Sequence, residues 1–217
     1  MKKNWIGFAA FAVAFCTLVV LLLTCNVAPV GPAGTQIGLS GLNVAVHQAL
    51  GTNEMFYELT ELFGLAALAV CGIFGIAGLV QLIRRKSLKQ VDRRIYALAG
   101  LYIVTVLLYV LFEKVVINYR PVLMPGQLEP EAAFPSSHTM LILVVFGSAV
   151  EALGAYIKRK GLRLVLQLVG ILVMVLTVVG RLLSGVHWLT DIVGSVLLSL
   201  ALLSLYRAVS QKTETRR

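Results

Sequence analysis

The residue types and spacings that suit phosphoryl transfer occur in three short pieces of this chain. In the third piece, Arg181-Leu-Leu-Ser-Gly-Val-His187-Trp-Leu-Thr-Asp191, a histidine and a carboxylate stand four apart at the expected start of a helix. On a helix they share a face, about 6 Å apart along the axis. The Asp191 carboxylate can accept a hydrogen bond from one ring nitrogen of His187, fixing the tautomer and leaving the other lone pair free to attack. That is triad logic with histidine as the nucleophile. Arg181 and the helix N-terminus add positive potential where an anion docks. A His–Asp pair at this spacing can also be a purely structural hydrogen bond. Composition alone gives Arg-x5-His-x3-Asp a chance of about 0.0014 per chain, which makes coincidence improbable beside two further pieces.

The second piece is Pro135-Ser136-Ser137-His138. Hydroxyls and backbone N–H groups at a helix start form an anion cradle, and a histidine beside it can protonate a departing oxygen. Taken alone it reads as a helix cap with a stray histidine; at the same membrane level as His187 it reads as a general acid. The first piece, Lys114-Val-Val-Ile-Asn-Tyr-Arg120-Pro121, supplies cations. Arg120 can grip a phosphoryl group bidentately, Pro121 stiffens the chain, and Lys114 is either a point charge at the rim or an interfacial snorkeler.

The elements that must position these pieces are membrane helices. The chain is 59% hydrophobic and 13% charged, with a mean hydropathy of +0.89, which excludes an ordinary soluble domain. Six apolar stretches are long enough to cross a bilayer: 5–27, 57–83, 95–113, 139–157, 164–180 and 188–206. The first is too long for a signal-peptide core and reads as an uncleaved helix. The fold class is therefore all-α, a polytopic membrane protein with six transmembrane helices and residues 1–217 forming one membrane-embedded domain. Sixteen of the nineteen Lys and Arg fall at the N-terminus, in 84–94, in 158–163 and in the C-terminal tail. The positive-inside rule places those segments, and both termini, in the cytoplasm. The net charge of +9 then reflects anchoring to anionic lipid heads, with no nucleic-acid partner implied. Lys114, Arg120 and Arg181 lie on the opposite side with His138, His187 and Asp191, and charges placed against the rule mark function.

The outer connection 28–56 opens on Pro29, Gly31, Pro32 and Gly34 and then becomes apolar. It suits either an interfacial amphipathic helix or an irregular loop. His47 within it reads as a surface or packing residue. Glu58 and Glu61, near the outer end of the second span, read as solvated at the interface, with contact to a substrate headgroup the alternative. Gly72, Gly75 and Gly78 read as sites of close helix approach, and Glu151 as a carboxylate that snorkels toward, or pairs with, the cluster at 158–160. Cys16, Cys25 and Cys71 read as membrane-packing residues with no disulfide framework.

Together the three pieces resemble the signature motifs of the type 2 phosphatidic acid phosphatase superfamily, the integral-membrane lipid phosphate phosphatases. The resemblance covers the outer halves of the third to sixth spans, and the six-helix layout fits the whole chain. It implies a phosphohistidine at His187, orientation of that ring by Asp191, and leaving-group protonation by His138. The phosphoryl oxygens would be held by Arg120, Arg181, Ser136, Ser137 and Lys114, with no metal and no cofactor. Three positions depart from the family pattern. Lys114 is one residue closer to Arg-Pro, a helical turn of about 100°. Ser137 stands where glycine is usual, and Gly180 where a serine usually precedes the arginine.

The resulting expectation is a phosphomonoester or diphosphate hydrolase acting on an amphiphilic substrate from the outer face of a membrane. A bacterial cytoplasmic membrane fits the short chain and loops. Undecaprenyl diphosphate ranks first, with phosphatidic acid and phosphatidylglycerol phosphate also compatible. A phosphotransferase using the same phosphohistidine and a non-enzymatic lipid transporter are the alternatives. The sequence implies no oligomeric state.

Overall fold

The computed structural model describes residues 2–124 and 126–214, with the side chains of 211–214 left aside. Of the tail cations counted above, Arg216, Arg217 and the Lys212 side chain therefore lie outside what is described. Among the described residues seven α-helices run in the order α1 (Lys2–Thr24), α2 (Ser40–Leu50), α3 (Glu54–Arg85), α4 (Arg93–Lys114), α5 (Ser137–Tyr156), α6 (Lys160–Leu183) and α7 (Leu189–Glu214). All but α2 are long and apolar enough to cross a membrane, and the chain is an all-α, multi-pass membrane protein. The pairing of backbone groups inside each helix is what makes such a structure tolerable in lipid.

Burial separates the spans by role. Half or more of the apolar window of α5 and of α7 is covered by protein (50% and 61%), against 11% for α1, α3 and α6. The two central helices thus carry the packing, while the others present leucine, isoleucine and valine outward to lipid. The core joins Phe15 and Leu22 of α1, Leu98 and Leu101 of α4, Met140 and Val144 of α5, and Leu198 and Leu202 of α7. Phe15 stacks on Phe134, just ahead of α5, at a ring separation of 5.7 Å.

The bundle has two chemically different ends. At one, Asp92 caps α4 by accepting from the Arg94 N–H at 3.0 Å, and Tyr156 at the end of α5 donates to the same carboxylate at 3.2 Å. Glu151 pairs there with Arg207 of α7 rather than with the 158–160 cluster expected from sequence. The reason is helical phase: α5 turns Glu151 inward against α7, away from its own C-terminal connection. The opposite end carries α2, the 115–136 connection and the tight α6–α7 turn.

Several expectations are sharpened or corrected. The 28–56 connection contains a helix, α2, whose buried face is polar (Ser40, Asn43) and whose Leu42 and Leu50 point outward, as suits an interface. The fifth span continues past 180 to Leu183, so Arg181 belongs to the last turn of α6 and not to a loop. Of Gly72, Gly75 and Gly78 in α3, a Cβ at Gly72 or Gly75 would meet nothing within 4 Å, and only Gly78 abuts a neighbour, Ile95. Close approach is made instead at Gly180, where a Cβ would stand 2.9 Å from Thr60 Cγ2 and where α6 therefore lies hard against α3. The cysteines are free.

Candidate active site

The α6–α7 turn sets the position of His187. Gly185 takes a left-handed φ of 70° and its α-carbon faces the Gly51 carbonyl, so a side chain is excluded on both counts. The His47 Nε2 lies 3.0 Å from the Gly185 carbonyl oxygen, and its ring packs at 5.4 Å on Trp188. Trp188 donates from Nε1 to the Tyr119 carbonyl at 2.7 Å. Asn43 donates to Thr190 Oγ1 at 2.9 Å and accepts from the Thr190 N–H at 3.2 Å, tying α2 to the first turn of α7. His47 is thus a packing residue of the turn.

Within that frame His187 and Asp191 face each other as their spacing requires. Nδ1 of His187 stands 3.6 Å from Asp191 Oδ2, longer than a closed hydrogen bond and within ion-pair reach. Catalytic hydrogen bonds are often long before substrate binds. Both side chains are buried, and the Trp188 N–H donates to Asp191 Oδ2 at 2.9 Å. Asn118, buried, accepts at Oδ1 from the Gly38 N–H at 3.1 Å. Burial first, then the charges of Arg120, Arg181 and His138, hold the His187 imidazole well below the usual histidine range. The ring is therefore neutral at neutral pH, with Nε2 as its nucleophilic atom.

The second piece is fixed onto the third by backbone and hydroxyl contacts. The Ser136 N–H donates to the Asp191 carbonyl at 3.2 Å. Ser195, buried one turn along α7, places its hydroxyl 2.8 Å from the carbonyls of both Ser136 and Asp191. Ser136 caps α5, its Oγ accepting from the Thr139 N–H at 3.5 Å and from the Thr139 hydroxyl at 3.0 Å. Ser137 opens α5 in ordinary helical backbone, so the position usually held by glycine requires none here.

His138 and Arg181 meet over a residue of α3. Glu61 Oε2 lies 3.0 Å from His138 Nε2, and Glu61 Oε1 accepts from Arg181 Nη2 at 2.9 Å. Arg181 is fully buried; it also donates to Thr60 Oγ1 at 3.2 Å and lies 5.1 Å above the Tyr57 ring. Arg120 is placed by a short antiparallel pairing in which its N–H donates to the Glu131 carbonyl and Tyr119 bridges Ala132. Its Nε stands 3.1 Å from Glu131 Oε2. Lys114 ends α4 exposed, with no hydrogen bond or ion pair to the site among the described residues.

The structure thus gathers His187, Asp191, His138, Ser136, Ser137, Arg120 and Arg181 at one end of the bundle and leaves Lys114 at the rim. Sequence reasoning missed Asn118, Ser195 and Thr60, and set Glu61 aside as interfacial. Two openings lead to this place. A crevice of about 20 Å³ between α4 and the 132–137 segment reaches His187 past Phe112, Ala133 and Phe134. A wider groove of about 240 Å³ runs from His138 and Ser137 along Leu141, Leu68 and Val106, and adjoins an apolar surface groove of about 380 Å³ between α3 and α4.

A family model described as the PAP2 superfamily matches residues 94–214. The chain belongs to the PAP2 superfamily, and as a member of it is a phosphatase. Among solved structures, the transmembrane PAP2 type phosphatidylglycerolphosphate phosphatase from Bacillus subtilis shares the fold. Its TM-score is 0.70 at 19% sequence identity, over 98% of this chain and 98% of that one. No curated protein matches the chain in sequence.

Proposed function

We propose that this protein is a metal-independent lipid phosphate or lipid diphosphate phosphatase that works through a phosphohistidine at His187. The observation that carries the reading is the gathering of a carboxylate-backed histidine, a second histidine and two arginines at one end of the bundle, with the second histidine, His138, lining an apolar groove. Lipid phosphates have this shape: tails for the groove and a phosphoryl group for the cations.

In the first step His187 Nε2 attacks phosphorus in line, the N–P bond forms, and the P–O bond to the leaving group breaks. His138 gives its proton to the departing oxygen. Arg120, Arg181 and the N–H groups at the start of α5 hold the equatorial oxygens, where such transfers gain most. The Ser136 hydroxyl, which accepts from Thr139, retains its own proton for a phosphoryl oxygen, and Ser137 lines the groove beside it. In the second step water attacks the phosphohistidine and its proton passes to His138, releasing phosphate and restoring His187. Asp191 steadies the imidazolium formed on the way, and Lys114 adds a screened charge at the rim.

The charge bias of the connections supports an active site on the outer face of a cytoplasmic membrane. Outward recycling of an isoprenoid diphosphate carrier suits that topology, so undecaprenyl diphosphate is the preferred substrate, with phosphatidylglycerol phosphate and phosphatidic acid next. Phosphate release by purified protein across that panel, in the presence of EDTA, tests the assignment. His187→Gln is expected to lower release by at least about 10³-fold. A base-stable, acid-labile phosphoryl label on the wild type should be missing from the variant. Activity that survives the substitution, or that EDTA abolishes and a divalent cation restores, would overturn the mechanism.

A further inference from the structure

Among the described residues Glu61 is the carboxylate that touches both Arg181 and His138 of the proposed phosphoryl site. It reaches them with different oxygens: Oε1 to Arg181 at 2.9 Å and Oε2 to His138 at 3.0 Å. That is how two oxygens of a bound phosphoryl group would be shared between the same side chains. The three partners differ in exposure. The Arg181 side chain is 1% exposed, whereas that of Glu61 is 38% exposed. Tyr57 and Thr60 also hold Arg181 in place, so the guanidinium stays put when Glu61 moves. Glu61 also lies on the side of α3 that faces His138. Glu61, Gly64 and Leu68 lie on one face of α3; Gly64 abuts the His138 ring, and Leu68 lines the apolar groove.

We propose that Glu61 is a charge filter, a specificity-determining residue that occupies the phosphoryl position on Arg181 and His138 until a dianionic phosphoryl group displaces it. The inference rests on the phosphatase reading of the site. A membrane enzyme is surrounded by phosphodiester lipids whose headgroup phosphate carries a single negative charge. A carboxylate matches that charge and is already in place, at no cost in translational freedom, so the diester gains nothing by exchange. A terminal phosphomonoester carries close to two charges and three free oxygens, and exchange favours it.

The test compares wild type, Glu61→Gln and Glu61→Asp in detergent. One arm measures binding of inorganic phosphate by calorimetry, which needs no turnover. The other measures phosphate release from a lipid phosphomonoester in mixed micelles as phosphatidylglycerol replaces neutral detergent at constant substrate mole fraction. Glu61→Gln is expected to bind phosphate about tenfold more tightly, the strength of one partly exposed charge-assisted contact. It should also lose activity steeply as phosphatidylglycerol rises, while the wild type holds its rate. Glu61→Asp keeps the charge but cannot span both partners, and should shift phosphate binding the same way by less; it carries the test if the glutamine variant does not fold. Unchanged phosphate binding in the variants, or equal inhibition of all three proteins by phosphatidylglycerol, overturns the filter. A wild type that binds phosphate yet releases none from any lipid phosphate overturns the hydrolase reading instead.

Discussion

Gly180 is a position where two opposed effects can be weighed from the structure. Replacing a helix-interior glycine with alanine ordinarily stabilises a helix by about 1 kcal/mol. Here the added Cβ would come within 2.9 Å of Thr60 Cγ2. Thr60 cannot turn that methyl aside, because its hydroxyl is bound to the Phe56 and Tyr57 carbonyls at 2.9 and 2.8 Å and also accepts from Arg181. A β-branched side chain so pinned has no second rotamer to use. Overpacking of this kind costs about 1–3 kcal/mol, so Gly180→Ala is expected to destabilise by about 0–2 kcal/mol net. It should also push the Arg181 fork off its partners and lower kcat/KM by about tenfold or more. Thr60→Ser deletes the obstructing methyl and keeps the hydroxyl. In that background the same Gly180→Ala change should reverse sign and stabilise by about 1 kcal/mol, a coupling of about 1–3 kcal/mol. Thermal unfolding midpoints of the four proteins in one detergent, with phosphate release from one lipid phosphate, complete the cycle. Additive effects of the two substitutions, or a Gly180→Ala protein as stable and active as wild type, would refute the reasoning.

Three further outcomes follow from the site. His187 must be neutral to attack, and burial and the neighbouring cations depress its pKa. Activity therefore persists as pH falls past 6.5 and is lost only as the lower folded value is crossed. Removing the largest charge contribution with Arg120→Gln should move the acid limb of the kcat/KM profile to higher pH, whatever it does to the plateau. Asn118→Ala strips the Gly38 N–H of its buried acceptor; a loss of about 1–3 kcal/mol in stability is expected by unfolding assays, with a smaller kcat by initial-rate assays. Glu151→Gln, at the far end, breaks a pair whose Arg207 side chain is 46% exposed, and should leave phosphate release within about twofold of wild type.

What the sequence could reveal depended on whether a residue's signal lay in spacing or in packing. The spans showed as apolar runs, and the two ends of the bundle showed as the charge bias of the connections. His187, Asp191, His138 and Arg120 were legible because each lies in a short local pattern whose parts share one turn or one loop. Arg181 was legible as a motif residue but misplaced, since a basic residue ending an apolar run reads as a boundary while α6 runs on to Leu183. Ser195 was not legible, because one serine in an apolar helix has many packing explanations, and its role depends on two carbonyls brought together by tertiary contact. Asn118 had a faint signal, a polar residue between Lys114 and Arg120. Glu58 and Glu61 looked alike in sequence, three apart at the end of one span. Only the facing of α3 separates them: Glu58 is exposed, while Glu61 turns onto Arg181 and His138.

The division of labour along the chain has a physical cause. The family match begins at residue 94, and every group proposed to touch phosphorus lies within it. The groups that hold those residues come largely from before it: Tyr57, Thr60 and Glu61 around Arg181, His47 and Asn43 on the α6–α7 turn, and the Gly38 N–H on Asn118. A guanidinium with no exposed surface is costly unless its donors are taken up, so an arginine in the last turn of α6 obliges its neighbouring helix to supply acceptors. That helix is α3, and it abuts α6 closely enough to do so because position 180 has no side chain. The glycine that replaces the usual serine therefore does more than remove a hydroxyl. It admits Thr60, whose hydroxyl lies beside Arg181, and with Thr60 the carboxylate next to it in sequence. The loss of one donor in the catalytic half and the arrival of Glu61 from the other half are two sides of a single packing decision.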